Sequence, residues 1–177
     1  MINLKNLRSK KVGILGLGKT GLSVIRAVEH AGAILTCWDD DKEKRVNLEV
    51  EGINVKDLNN KKLLRELDLL IVSPGIAHLY PKPHAIVRLA YELNVKVDND
   101  IGLFFSSHIK EDYETFSNPP KIIAITGSNG KSTATALAGH VFSKVFTDVE
   151  IGGNIGKPVL ELRPLKDGSI RIVELSS

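Results

Sequence analysis

The chain has 177 residues, which is enough for one large domain or two small ones. Hydrophobic residues make up 42% and charged residues 25%, as in soluble globular proteins, so the composition excludes a disordered chain. The net charge of +3 comes from basic residues scattered among acids, which gives little support to nucleic-acid binding.

The apolar runs of the chain are short. None approaches the roughly 20 residues needed to span a bilayer, and the N-terminus enters a strand pattern without the apolar stretch of a signal peptide. We therefore expect a cytoplasmic protein without a membrane partner. The single cysteine, Cys37, excludes an internal disulfide and a cysteine-based zinc site.

The first hundred residues alternate predicted strands and helices. Short apolar runs predict strands at 11–15, 34–38, 53–55, 69–72 and 95–97, with helices predicted at 19–30, 39–51, 61–67 and 83–93. Such alternation predicts an α/β fold with a parallel sheet, here a Rossmann-like domain over residues 1–98.

A domain boundary is predicted in the segment 99–120, which is charged and ends in Pro119-Pro120, a pair that a helix cannot continue through. This segment is interpreted as a linker. Residues 121–177 then begin a second strand–loop–helix pattern of the P-loop ATPase type. Because so few elements would leave the second sheet half covered, we expect the chain to be the front portion of a longer protein. No obligate protein partner is indicated.

The loop TGSNGKST after the strand 121–125 is typical of a phosphate-binding loop. Glycines let backbone N–H groups point into one concavity, and a helix N-terminus adds further donors. A lysine then supplies charge to the outer phosphates and a hydroxyl can bind Mg²⁺. The predicted ATP-binding residues are Thr126, Gly127, Ser128, Asn129, Gly130, Lys131, Ser132 and Thr133.

The match to the general pattern G-x-x-x-x-G-K-[ST] is incomplete, because Ile125 stands where the first glycine is expected. The alternative is a plain strand–helix turn that happens to contain Gly-Lys-Ser.

A second glycine loop, GLGKTG at 16–21, fits G-x-G-x-x-G, and Asp39 follows the next strand 23 residues after Gly16. In a dinucleotide-binding fold this acid would contact the ribose hydroxyls, which makes a nicotinamide-dependent oxidoreductase one alternative. A non-catalytic nucleotide-binding module is another. The separate ATP loop favours a first domain that holds a nucleotide-tagged substrate.

Several motifs together resemble those of the Mur ligases of peptidoglycan synthesis. These are TGSNGKST, GGNIGKP (152–158) and VELSS (173–177). The motifs GLGKTG, IVSPGI (71–76) and DIGLFF (100–105) narrow the resemblance to the D-glutamate-adding members of that family. The resemblance implies a UDP-binding Rossmann-like domain, a central ATPase domain and a C-terminal domain. This chain would hold the first domain and part of the second, and would be inactive alone.

The resemblance also implies the reaction, its cofactors and its partners. With ATP and Mg²⁺, the carboxylate of UDP-N-acetylmuramoyl-L-alanine would be phosphorylated, and the amine of D-glutamate would attack the acyl phosphate. Lys131 and Glu174 would be catalytic, and Ser132 and Glu174 would bind the metal. The implied UDP-substrate residues are Gly18, Lys19, Thr20, Gly21, Asp39, Gly75, Asn154 and Ser176.

Four of these residues have structural alternatives. Glu174 could be a solvated strand-end carboxylate, and Asn154 could belong to a plain turn. Gly75 could serve a turn that requires a positive φ, and Lys19 could simply be solvated.

Two departures from the family pattern also stand out. Gly102 replaces an expected glutamate, and Asp40-Asp41 replace an expected threonine and arginine, which leaves the uracil contacts open.

Overall fold

A computed structural model describes residues 2–108 and 116–176. The chain divides into two compact units. The first unit is Leu4–Leu103, and the second is Phe104–Ser177 together with Met1–Asn3. Within the second unit, the Ile2 amide donates to the Leu160 carbonyl oxygen over 3.0 Å. On sequence alone, residues 1–3 are assigned to the first domain. A hydrogen bond to a turn so far along the chain has no signature in the local sequence.

The first unit is a parallel α/β layer structure. Its strands are β1 (Lys11–Leu15), β2 (Ile34–Trp38), β3 (Leu69–Val72) and β4 (Val97–Asp98), and its helices are α1 (Lys19–His30), α2 (Lys42–Val50), α3 (Lys61–Arg65) and α4 (Ala85–Glu92). The sheet order is β2-β1-β3-β4, with every neighbouring pair parallel. The fold class predicted from the alternating pattern is thus confirmed for this unit.

Apolar residues on both faces explain why the central strands are buried. All four residues of β3 are buried, as are Val12, Ile14 and Leu15 of β1. Helix α1 covers the sheet with a stripe of buried side chains that includes Val24, Ile25 and Val28. This packing fixes the carboxyl ends of β1, β2 and β3 side by side.

A helix, α5 (Asp100–His108), occupies the start of the segment that the sequence assigned to a linker. Asn99 precedes it and its side-chain oxygen accepts from the Gly102 amide over 2.8 Å, as an N-cap residue does. A side chain at Gly102 would overlap the Asp98 carboxylate, since a Cβ there would lie 1.8 Å from Asp98 Oδ1. The glycine that departs from the family pattern therefore makes room for Asp98.

The second unit is a smaller parallel sheet with one long helix. Its strands are β5 (Lys121–Ile125), β6 (Val149–Gly153) and β7 (Ile170–Glu174), and its helix is α6 (Lys131–Ser143). The order is β5-β7-β6, with both pairs parallel. Gly139 lets α6 approach β6, because a Cβ at this position would lie 2.3 Å from Ile151 Cδ1.

A buried ion-pair network joins β6 and β7 near their amino ends. Arg171 is fully buried, and its guanidinium lies 3.2 Å from Asp148 Oδ2, while Arg163 lies 2.7 Å from Asp148 Oδ1. Across the described parts of both units, no helix has the length and apolarity needed to traverse a membrane.

Candidate functional site

The carboxyl ends of the three strands in the second unit meet at one edge of the sheet. Ile125, Glu174 and Gly153 lie opposite one another in the parallel register. The segment after β5, the last residue of β7 and the turn after β6 are therefore neighbours. Ligands of open parallel sheets bind at this edge.

The loop Thr126–Gly130 is exposed throughout and leads directly into α6. Gly127 has φ +145° and Gly130 has φ +73°, which are backbone conformations that residues with a Cβ rarely adopt. Gly130 precedes the first helical residue, and no side chain caps the helix. The first intrahelical donor shown is the Ala134 amide, so the amides of Lys131, Ser132 and Thr133 lie at the helix start. The eight predicted ATP-binding residues thus form one continuous loop and first turn.

Lys131 lies across this loop. Its Nζ donates to the Gly127 carbonyl oxygen over 2.6 Å. The ammonium group is therefore held against the backbone of the loop. A cation in this position can neutralise an oxyanion without a large movement of its helix.

Glu174 is buried, with 1% of its surface exposed, so the alternative of a solvated strand-end carboxylate is wrong. Its Oε1 accepts from Ser132 Oγ over 3.2 Å and from Asn154 Nδ2 over 3.1 Å. Its Oε2 is buried and has no hydrogen-bond partner. An unpaired buried carboxylate oxygen is costly, and a hard divalent cation would offset that cost. The donor set therefore fits Mg²⁺.

The turn after β6 brings Asn154 against Glu174. Gly153 has φ +98°, and a Cβ there would lie 2.3 Å from the Glu174 carbonyl oxygen. The Asn154 amide donates to that same oxygen over 3.0 Å. The turn is therefore built on the end of β7 and is not a plain solvent-facing turn. Ser176 is exposed and lies two residues beyond β7.

The glycine loop of the first unit lies at the carboxyl end of β1. The chain leaves β1 for β2 on one side and reaches β3 on the other, which makes this point the topological switch of the sheet. Gly16 has φ +96°, and a Cβ at Gly21 would lie 1.9 Å from the Gly16 carbonyl oxygen. Around Gly18, by contrast, a Cβ would meet no atom within 4 Å. Lys19 is exposed and Thr20 half-buried at the start of α1.

Asp39 connects the end of β2 to this loop. Its Oδ2 accepts from the Leu17 amide over 2.7 Å, and its Oδ1 accepts from the Asp41 amide over 2.9 Å. Burial by itself would raise the pKa of Asp39, but these two hydrogen bonds and nearby Lys44 outweigh it and hold the pKa below its usual value. The carboxylate is therefore charged and already engaged in bracing the loop.

The turn after β3 completes this edge of the first unit. Ser73 Oγ donates to the Gly16 carbonyl oxygen over 2.8 Å, a contact that sequence reasoning missed. Its position just after the strand next to β1 was the available signal. Gly75 is exposed and does not have a positive φ, so the alternative that the turn requires glycine for its conformation is wrong. A Cβ at Gly75 would meet nothing within 4 Å.

Comparisons with known proteins agree across the whole chain. The chain is 45% identical over 177 residues to the UDP-N-acetylmuramoylalanine–D-glutamate ligase of Cereibacter sphaeroides, covering all of this chain and 38% of that protein. The ligases of the same name from Ruegeria pomeroyi and Roseobacter denitrificans give the same identity and coverage. The chain therefore spans about two fifths of the length of these relatives.

A solved structure also matches part of the chain. The shikimate dehydrogenase of Aquifex aeolicus matches 59% of this chain and 47% of its own, with a TM-score of 0.45 and 16% identity. At that score the similarity carries no functional inference.

The family model described as "Mur ligase MurD-like, N-terminal domain" matches residues 10–97, which lie within the first unit. Together with the identity over the full chain, this match shows that the chain belongs to the MurD-like Mur ligases.

Proposed function

We propose that this chain supplies the UDP-substrate unit and the ATP-phosphate site of a ligase that adds D-glutamate to UDP-N-acetylmuramoyl-L-alanine in the cytoplasm. The observation that carries the proposal is the meeting of Lys131, Ser132 and Glu174 at one sheet edge. Lys131 lies over the loop, and Ser132 contacts Glu174, whose second oxygen is buried and unpaired. The relatives named for this reaction support the choice of substrates.

The chemistry needs positioning and charge neutralisation more than covalent help from the protein. Amides of the loop and the helix start would bind the β- and γ-phosphate oxygens of ATP, and Lys131 would neutralise them. The γ-phosphoryl group would pass to the substrate carboxylate, and the D-glutamate amine would then displace phosphate to form the amide.

Mg²⁺, when bound, would draw charge from the phosphates. Glu174 and Ser132 are the residues of this chain that would hold it. Among the described residues there is no cluster of three or more acidic, histidine or cysteine side chains able to hold a metal. Mg²⁺ tolerates such a sparse protein site, because it commonly keeps several waters and binds substrate phosphate oxygens.

The first unit would bind the UDP end of the substrate at its switch point. The open space around Gly18 and Gly75 would let a diphosphate approach the backbone closely. Lys19, Thr20 and Gly21 lie at the start of α1, where amides favour an anion. The hydrogen bonds of Asp39 would hold the conformation of the loop while Lys19, Thr20 and Gly21 contact the nucleotide.

Two measurements test the proposal. UDP-N-acetylmuramoyl-L-alanine should bind the 177-residue chain saturably and change the fluorescence of Trp38, whereas NADH should not. A chain extended to the length of the relatives should release phosphate only when ATP, the UDP-substrate and D-glutamate are all present. Saturable NADH binding without UDP-substrate binding would instead favour an oxidoreductase and overturn the proposal.

A further inference from the structure

Asn154 contacts Glu174 through both its backbone and its side chain. The Asn154 amide donates to the Glu174 carbonyl oxygen over 3.0 Å, and Asn154 Nδ2 donates to Glu174 Oε1 over 3.1 Å. The carboxylate can only accept, so the side-chain nitrogen must face it. One residue thus fixes both the end of β7 and the orientation of its last side chain.

The turn that carries Asn154 is held in place from both sides. The Gly153 amide donates to the Lys157 carbonyl oxygen over 2.9 Å. Gly153 and Gly156 both have positive φ, and a Cβ at either would lie within 3 Å of a backbone oxygen, that of Glu174 for Gly153 and that of Ile151 for Gly156. These glycines allow a close backbone approach that holds the Asn154 backbone against the Glu174 carbonyl oxygen, and so keeps the Asn154 side chain beside the carboxylate.

We propose that Asn154 is a positioning residue that orients Glu174 for the divalent cation, a role distinct from the substrate contact that the resemblance implies. Asn154 and Ser132 both donate to Oε1, which directs Oε2 away from them as the unpaired oxygen. Ligands that are oriented by a neighbouring hydrogen bond bind metals more tightly than ligands that rotate freely.

The inference rests on the proposed function, and the test separates the two. The 177-residue chain is titrated with the β,γ-imido analogue of ATP, with Mn²⁺ as the probe metal and with a chelator in its place. Free Mn²⁺ is followed by electron paramagnetic resonance. The wild-type chain should bind the analogue more tightly with Mn²⁺, and absence of any Mn²⁺-dependent binding would overturn the proposed function together with this inference.

The informative variant is Asn154→Ala, with Asn154→Gln as the conservative change that keeps an amide donor. Asn154→Ala should weaken Mn²⁺ binding in the presence of the analogue by about tenfold, and Asn154→Gln should weaken it less. Binding of the analogue without metal, and of UDP-N-acetylmuramoyl-L-alanine, should be unchanged. Asn47→Ala, at an exposed position of α2 in the first unit, is the matched control and should change none of these affinities.

The opposite pattern would overturn the inference. If Asn154→Ala keeps the wild-type affinity for Mn²⁺ and loses affinity for the UDP-substrate, Asn154 is a substrate contact only. Because Asn154 is exposed and Ser132 still donates to Glu174 Oε1 in its absence, both variants should fold, with only a small loss of melting temperature for Asn154→Ala. If Asn154→Ala does not fold, Asn154→Gln still decides the question, since a loss of UDP-substrate affinity with unchanged Mn²⁺ affinity would also overturn the inference.

Discussion

The two glycine loops look alike in the sequence but use their glycines differently. In the first unit, Gly21 packs against the backbone of Gly16, and Asp39 and Ser73 brace the loop from the neighbouring strands. In the second unit, Gly127 and Gly130 have positive φ, and a Cβ at Gly130 would meet no atom within 4 Å. The first loop therefore needs glycine both for packing, at Gly21, and for backbone conformation, at Gly16. The phosphate loop needs it for backbone conformation alone.

This difference shows that a glycine pattern alone does not reveal why each glycine is needed. The loop of the first unit is preformed by contacts with its own protein. The phosphate loop is exposed, and Lys131 holds it through a hydrogen bond to the Gly127 carbonyl oxygen. The two loops should therefore respond differently to substitution. Substitutions that add side-chain atoms should lower the free energy of unfolding in the first loop. Substitutions that remove a charge should weaken ligand binding at the phosphate loop.

The largest expected effect is that of Gly21→Ala. Alanine would place a Cβ 1.9 Å from the Gly16 carbonyl oxygen, so the variant should be destabilised by about 3 kcal/mol or more. Urea unfolding of the first unit measures this. Gly18→Ala is the control and should cost about 1 kcal/mol or less, because its Cβ has open space. An increase in stability for Gly21→Ala, as expected from helix propensity alone, would refute the packing account.

A somewhat smaller effect is expected for Asp39→Asn. The variant loses hydrogen bonds between a charged acceptor and the Leu17 and Asp41 amides, which should cost about 2 kcal/mol at neutral pH. Asp40→Asn, at an exposed neighbouring position, is the control, and its stability should change little.

The Asp39 interaction also predicts a pH dependence. Because the folded-state pKa is lowered, the stabilisation is present above the unfolded-state pKa of about 3.9 and is lost as the pH falls through the folded value. The melting temperature of wild type should therefore exceed that of Asp39→Asn at neutral pH, and the two melting temperatures should converge in acid. A constant difference at every pH would contradict this assignment.

Much of this architecture could be predicted from the sequence. The strands at 11–15, 34–38, 69–72 and 121–125 were predicted with the bounds that the structure has, because each is an apolar run that ends at a turn residue or a charge. Helix α2 begins at Lys42 and not at Asp39, since the Asp41 side chain caps it. The predicted strand at 53–55 is only a single bridge between Cys37 and Val55.

Other features depend on contacts between distant segments and could not be predicted in this way. The family resemblance assigned Lys131, Ser132 and Glu174 to the catalytic and metal site, but the Asn154–Glu174 contact depends on the register of β6 against β7. Helix α5 was missed because the charges and the Pro119-Pro120 pair of the segment indicated a linker. The N-cap residue Asn99 was an unused signal for this helix. The Ser73–Gly16 contact likewise follows from strand order.

A smaller loss of stability is expected for Gly130→Ala. The substitution forces alanine into a left-handed conformation at φ +73° without a steric overlap, so it should cost about 1–2 kcal/mol. Unfolding of the second unit gives the value, and Ser128→Ala in the same exposed loop is the control, which should change stability little. A cost as large as that of Gly21→Ala would remove the contrast between the loops.

The smallest effect on stability, and the most direct test of the phosphate site, comes from Lys131→Ala. Calorimetric titration compares wild type and variant for the Mg²⁺-bound β,γ-imido analogue of ATP and, separately, for UDP-N-acetylmuramoyl-L-alanine. The bond from Lys131 Nζ to the Gly127 carbonyl oxygen holds an exposed loop, so its loss should change the melting temperature little. We expect the variant to lose affinity for the ATP analogue and to keep its affinity for the UDP-substrate. Equal loss of both affinities would contradict separate sites in the two units, and an unchanged affinity for the ATP analogue would contradict the assignment of Lys131 to the phosphate site.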